Sequence, residues 1–242
     1  MFEIAGLVPL STLDWPGQLS AVLFMQGCRW KCGYCHNSHL RGLKKSCSEE
    51  ANAESASCWL RINDFLSRRV GLLDAVVISG GEPTLHANLQ ELILKIKSFG
   101  FKVGLHTGGY DPQNFAKVLP FLDWVGLDYK TCLADYRSIT KDPQSGEKFK
   151  SSLLSLIHAK IPYEIRTTVF SKYHNQTKLL EMAEELHGYN VDNYFLQEYR
   201  AVGNLAKESG VNESPLRDIL SQTAQQEMSL LFKNFSIRWV NQ

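Results

Sequence analysis

The residues with the most obvious chemistry lie close together near the start of the chain. Cys28, Cys32 and Cys35 fall in GCRWKCGYCHN with the spacing C-x3-C-x2-C. Thiolates are soft ligands that suit iron–sulfur clusters, zinc or copper(I). A closed four-iron cluster takes four cysteines. Here one tight loop offers three, and Cys47, Cys58 and Cys132 are far away in sequence. A 4Fe–4S cluster held by the three would keep one iron without a protein ligand. That iron could accept a small molecule through its own oxygen and nitrogen donors. The same residues also permit a zinc site completed by His36 or a distant cysteine.

A second constellation follows the apolar run AVVIS (75–79), where residues 80–86 read GGEPTLH. Gly80 and Gly81 would let a ligand approach the backbone closely and meet its N–H and C=O groups. Glu82 adds a carboxylate suited to an ammonium group. Pro83 stiffens the exit ahead of a helix. Alone, a Gly-Gly pair after a strand is a common turn, and this one matches neither the dinucleotide nor the phosphate-loop fingerprint. Its weight comes from position, one βα unit after the cysteine loop and at the same sheet edge.

The elements that must position these groups are legible as alternation. The apolar runs are AVLFM (21–25), AVVIS (75–79), KVGLH (102–106), WVGLD (124–128), YEIRTTVF (163–170) and NYFLQ (193–197). They lack clean polar alternation, as strands covered on both faces do. Between them lie helical stripes: Leu89, Leu92, Ile93, Ile96; Phe149, Leu153, Leu156, Ile157; Leu179, Met182, Ala183, Leu186. Each places its apolar residues on one helix face. Repeated βα units follow. Six are too few for a closed eight-stranded barrel, so a partial barrel or an open sheet is expected. The polar residues gather where runs end: Cys28, Ser79 to Glu82, His106 and Thr107, Asp128 and Lys130, Arg166 and Thr168, Gln197 and Glu198. In parallel sheets that edge binds ligands. Residues 40–58 read as a long loop, 217–232 as a helix, and FSIRWV (235–240) as a final apolar run. One domain over 1–242 is expected, with a core over about 18–200 and an extension over 201–242.

Composition narrows the class. The chain has 242 residues, 44% of them hydrophobic, enough for one substantial core. Lys plus Arg is 26 against 25 for Asp plus Glu, so charge balance gives no reason to expect nucleic-acid or membrane binding. The opening MFEIAGLVPLSTLDWPG lacks the pattern of a signal peptide. A cytoplasmic protein is expected, and six scattered or clustered cysteines fit that compartment better than a disulfide scaffold.

The motifs together resemble a known superfamily. CRWKCGYC resembles the C-x3-C-x-aromatic-C motif of the radical S-adenosylmethionine (radical SAM) superfamily, and ISGGEP resembles its methionine-amine motif. PLSTLDWPGQLSAVLFMQGC resembles the opening of activating enzymes for glycyl-radical enzymes. CHN, ISGGEPTL, the T-x-G at 107–109, LDYK, RTTV and LQEYR look like the activating proteins of anaerobic (class III) ribonucleoside-triphosphate reductase. The likeness spans residues from about 4 to 200. It implies an α/β fold, a partial (β/α)6 TIM-like barrel, with a 4Fe–4S cluster and S-adenosylmethionine as cofactors. It implies reductive cleavage of the sulfonium and removal of a hydrogen from a backbone glycine of a partner. The implied partners are a glycyl-radical enzyme, namely the anaerobic reductase, and flavodoxin or ferredoxin as electron donor.

Carried over residue by residue, the resemblance makes Cys28, Cys32 and Cys35 the cluster ligands and the catalytic cysteines. Tyr34 would flank the adenine with His36 beside it. Gly80, Gly81 and Glu82 would receive the methionine amine, and Thr107 would lie near the ribose and methionine. Asp128, Tyr129 and Lys130 would meet the cofactor, with Arg166 and Thr168 at the following strand end. Read alone, Arg166 is a structural barrel residue that bonds neighbouring loops. His106 by itself is a satisfied core histidine. The family shows D-T-N-G where this chain has His106-Thr107-Gly108-Gly109. In related activases that aspartate helps bind a monovalent cation, a task for which histidine is poorly suited. Cys47, Cys58 and Cys132 read as ordinary thiols. Two competing functions stay open: a small-molecule radical enzyme such as a 7-carboxy-7-deazaguanine synthase, and a non-catalytic metal-binding module.

Overall fold

The fold is seen in a computed structural model that describes residues 2–43, 49–199 and 215–239. Eight strands form one sheet in sequential order: β1 (Ile4–Ser11), β2 (Ser20–Met25), β3 (Ala75–Gly80), β4 (Lys102–Thr107), β5 (Trp124–Asp128), β6 (Tyr163–Val169), β7 (Asn193–Glu198) and β8 (Asn234–Arg238). From β2 to β8 every neighbouring pair is parallel. The six apolar runs of the sequence are β2 to β7. β1 lies outside that pattern and pairs antiparallel with β2. Its register shifts between Val8 and Ser11, at Pro9 and Leu10. Proline is tolerated there because the strand is an edge and the ladder is already broken.

Among the described residues the helices are α1 (Glu49–Ser67), α2 (Leu89–Lys97), α3 (Pro112–Val118), α4 (Tyr136–Thr140), α5 (Ser145–Ala159), α6 (Gln176–Gly188), α7 (Leu216–Ile219) and α8 (Gln222–Leu231). The expected loop at 40–58 is therefore corrected. From Glu49 the chain is helical, in keeping with the Ala and Glu content of EEANAES. Cys47 lies outside the described residues. The single helix expected over 217–232 is two, because Ser221 caps α8 by accepting from the Ala224 N–H at 3.2 Å. No described helix is long and apolar enough to cross a membrane.

The core has two parts, set by the two faces of the strands. Leu23, Met25, Val76, Ile78, Val103, Leu105, Val125 and Leu127 face outward. They pack on buried helix residues such as Leu92, Ile96, Phe149, Leu153 and Met182. Inward, Val22, Ala75, Val77 and Trp124 surround Trp15. Trp15 comes from the D-W-P-G turn before β2 and stacks on Trp124 with centroids 5.5 Å apart. The turn is closed by Gln18 N–H donating to Trp15 O at 3.1 Å, with Gly17 at φ +76°. A Cβ at Gly104 would meet the Trp15 ring at 2.8 Å, so glycine in β4 makes the room. The turn is thus a plug that floors the barrel and leaves the opposite, C-terminal strand ends to form a site.

Candidate active site

The C-terminal ends of the strands and the cysteine loop enclose one cavity of about 830 Å³, counting its open mouth. Its wall includes Cys28, Cys32 and Cys35, Tyr34 and His36, Gly80, Gly81 and Glu82, Thr107, and Asp128 and Lys130. Trp30, His106, Arg166 and Thr168 also line it. Tyr129 is the one candidate it does not include.

The cysteine loop is anchored by its aromatic residues, which turn the thiols to the cavity. Gly27 (φ +98°) donates its N–H to Leu40 O at 2.7 Å, and Cys28 N–H donates to Arg41 O at 3.2 Å. Trp30 is buried and donates its Nε1–H to Asp142 at 3.2 Å. Tyr34 is buried among Phe170, Tyr173 and Tyr199, with centroids 5.7–6.4 Å away. His36 stacks on Tyr199 at 4.8 Å. Burial, then the nearby Glu82 carboxylate, pushes the Cys28 thiol up to about 12. Burial also raises Cys32. Such thiols become thiolates when a metal takes the place of their protons. Among the described residues no three His, Cys, Asp or Glu side chains converge on a single ion position. Three thiols on one cavity wall are the donor set that an iron–sulfur cluster with one open iron would take.

The glycine pair has a stricter reason than ligand access. A Cβ on Gly80 would lie 2.2 Å from Met25 N, and one on Gly81 would lie 2.2 Å from Gly27 O. Gly81 N–H donates to Met25 O at 2.9 Å and Glu82 N–H to Gly27 O at 2.8 Å, so the β2–β3 ladder runs on into the loop. These N–H groups are not free for a ligand, as the sequence suggested. Asn37 Nδ2 donates to Gly80 O at 3.3 Å. Glu82 is also more committed than expected. Its Oε1 accepts from Thr84 N, Thr84 Oγ1 and Thr107 Oγ1 at 3.0, 2.7 and 2.5 Å, and its Oε2 from Gly108 N at 2.8 Å. Burial raises its pKa against the pull of those donors. Glu82 and Thr107 together clamp the end of β3 to that of β4. One lone pair of Oε2 remains for a cation at the cavity wall.

At the next strand ends the charges are balanced. Arg166, 7% exposed, donates to Asp128 Oδ1 at 2.9 Å and sits 3.0 Å from His106 Nε2. Gly126 makes that possible, because a Cβ there would lie 2.7 Å from the guanidinium carbon. Burial pushes Asp128 up, but Arg166 and then Lys130 outweigh it and hold the carboxyl below its usual range. Burial alone would lower Lys130, and Cys32, Tyr34 and Asp128 around it reverse the shift. Burial and Arg166 hold His106 down to about 3, so the ring is neutral. Its Nε2 is also 2.7 Å from Asp14 O, in the plug turn. The Nε atom of Arg166 is buried without a hydrogen-bond partner.

Tyr129 points away from this cavity. Its hydroxyl bonds Glu185 on α6, and its ring packs on Tyr136 and Phe149. The role expected for it is corrected for a simple reason. Side chains alternate along a strand exit, so Asp128 and Lys130 face the lumen and Tyr129 faces the helices. His174, which no sequence motif marks, also supports the wall. Its Nδ1 accepts from Phe170 N–H at 3.0 Å and its Nε2–H donates to Lys130 O at 2.8 Å. It ties the aromatic wall to the strand end that carries Lys130. Cys58 donates toward Ile4 O and lies outside the cavity wall, as does Cys132.

Comparison with known proteins agrees with this geometry. Residues 22–186 match the Radical SAM superfamily model. A protein of Methanocaldococcus jannaschii that carries the provisional name glycyl-radical enzyme activating enzyme is 32% identical over 208 residues, 81% of this chain and 79% of the relative. The pyruvate formate-lyase-activating enzyme of Clostridium pasteurianum is 29% identical over 226 residues, 90% of this chain and 91% of the relative. Streptococcus suis SuiB bound to S-adenosylmethionine superposes with a TM-score of 0.62 at 16% identity, covering 88% of this chain and 48% of that one. Native anSMEcpe with bound AdoMet and the Cp18Cys peptide gives 0.59 at 16%, covering 88% and 60%. The last two are likenesses of fold, the partial barrel. The chain belongs to the radical SAM superfamily, in its group of glycyl-radical enzyme activating enzymes.

Proposed function

We propose that this protein binds a 4Fe–4S cluster through Cys28, Cys32 and Cys35, binds S-adenosylmethionine beside it, and generates the glycyl radical of an anaerobic ribonucleoside-triphosphate reductase. The observation that carries the reading is convergence. Three thiols, a glycine-rich strand end and the strand-end charges of Asp128, Lys130 and Arg166 line one cavity. When bound, the cluster and S-adenosylmethionine supply the radical chemistry. The chain supplies position and shielding. Asp128, Lys130 and the open lone pair of Glu82 would meet the charged end of the cofactor. Tyr34 and His36 give the cavity an aromatic side on which a purine would pack. The reductase is favoured as target by LDYK, RTTV and LQEYR.

The test is anaerobic reconstitution with iron and sulfide, then reduction and addition of S-adenosylmethionine. The expected result is 5′-deoxyadenosine from wild type and none from Cys32→Ala. With the reductase added, a glycyl-radical doublet should appear in its electron-spin spectrum. A doublet on pyruvate formate-lyase and none on the reductase would move the target. Turnover of a small molecule with no protein partner would sink the activase reading.

A further inference from the structure

The chain is nearly neutral, with a formal net charge of +1, yet the outer face of the cysteine loop is not. Arg29 and Lys31 flank the buried Trp30 and are both exposed. Lys31 N–H donates to Thr140 O at 2.9 Å, which brings the end of α4 against the loop. Arg137 and Lys141, both exposed, stand on that end. On the other flank Tyr173 lies 2.9 Å from where a Gly33 Cβ would be, with exposed Lys172 beside it. Among the described residues no carboxylate pairs with Arg29, Lys31, Arg137 or Lys141. The acids of the same stretch, Asp135 and Asp142, are already bonded to Lys178 and Lys148. Five cations therefore ring the outside of the loop whose inside carries the three thiols.

We propose that this ring is the docking surface for an acidic one-electron carrier protein. The inference rests on the cofactor reading above and adds the place of electron entry. The cavity side of the loop is given over to small-molecule binding, so its outer face is the short route left to the group the thiols hold. The carrier's reduced cofactor gives up one electron and the cysteine-held group takes it up, with no bond or proton transferred. Unpaired surface cations attract an acidic partner, raise its rate of association and orient it. With five cations here and a formal net charge of only +1, the rest of the chain is net negative, which keeps that attraction local.

The test uses the full chain, reconstituted anaerobically, with reduced flavodoxin as the probe. Two variants are compared: Arg29→Glu with Lys31→Glu, and Arg137→Glu with Lys141→Glu. The second leaves the cysteine loop untouched, so it stands even where the first fails to hold its cluster. Direct binding of flavodoxin is measured between about 20 mM and 300 mM salt. Each variant should bind about tenfold more weakly at low salt. The difference should vanish at high salt. Formation of 5′-deoxyadenosine with dithionite, which needs no docking surface, should be unchanged. Flavodoxin affinity within about twofold of wild type in the second variant would overturn the proposal. So would retained flavodoxin binding with loss of reductase binding, which would assign the face to the radical partner. Absence of product from wild type with dithionite would overturn the cofactor reading itself, and this proposal with it.

Discussion

At the scale of the residue, His106 is where surroundings change chemistry most. Buried against Arg166, with Asp128 and Asp14 nearby, its ring holds a proton only near pH 3. The unfolded chain takes that proton near pH 6.5. The native state thus binds the proton less tightly, and stability present at neutral pH is lost as pH falls through 6.5. Between pH 7 and 5 this amounts to about 2 kcal/mol. Urea unfolding of the iron-free protein should show that slope, and His106→Asn should reduce it by about that amount. An unaltered slope would mean that the ring is solvated. His86 and His174, also lowered by burial, contribute in the same sense and remain in both proteins. The same neighbourhood bears on the cation of related activases. Arg166 fills the space between His106 and Asp128 with a fixed positive charge. Cofactor binding should therefore be unchanged when potassium and sodium are replaced by choline in a calorimetric titration. An affinity that returns only with a small monovalent ion would refute this. The thiols, the glycines and the lumen-facing Asp128 and Lys130 were legible because motif and spacing name them directly. Tyr129 was misplaced by treating three consecutive residues as one patch, against the two-residue alternation of a strand. His174 was invisible, since its two bonds join segments that only the fold brings together.

At the scale of the element, the site depends on backbones held closer than side chains permit. β2 and β3 continue their pairing into the Gly80–Gly81 turn, and Gly80 adopts φ +120°. An added methyl at either position would strike backbone, not a flexible side-chain end. Gly81→Ala should therefore lower stability by about 3 kcal/mol or more, with loss of cluster loading. Trp15→Ala should cost about 3–5 kcal/mol by emptying the barrel floor. Trp15→Phe should recover much of that. Thermal unfolding checks both, and a melting point unchanged in Trp15→Ala would mean that the plug does not stabilise the barrel. Strands β2 to β7 and three helical stripes were legible from hydrophobic pattern because both faces of each strand are covered. β1 was not, because Pro9 and the exposed Val8 and Leu10 give it the composition of a loop. The purpose of the D-W-P-G turn was equally hidden. Its partner, the space above Gly104, is an absence of side chain that only the assembled sheet reveals.

At the scale of the whole molecule, the question is what the segment after 215 does for a barrel whose site lies at β2 to β6. β8 extends the sheet beside β7, and Arg238 reaches back across β7 to Glu164 of β6 at 2.7 Å. Glu164 is 6% exposed, and its second oxygen has no hydrogen-bond partner. The guanidinium also lies over Phe195, 4.8 Å from the ring centre. This pair ties the last strand to the lumen one layer below Arg166, since Glu164 and Arg166 point the same way along β6. Arg238→Ala would strand a buried carboxylate and should destabilise the protein by about 1.5–3 kcal/mol in urea. Adding Glu164→Leu should return at least half of that, because the cost lies in the uncompensated charge. A double variant as unstable as the sum of both singles would mean that Arg238 acts only by packing on Phe195. The cycle therefore distinguishes an electrostatic latch from an apolar cover. A latch makes the C-terminal segment part of the structure that holds Arg166, and through it Asp128, in place at the cavity wall.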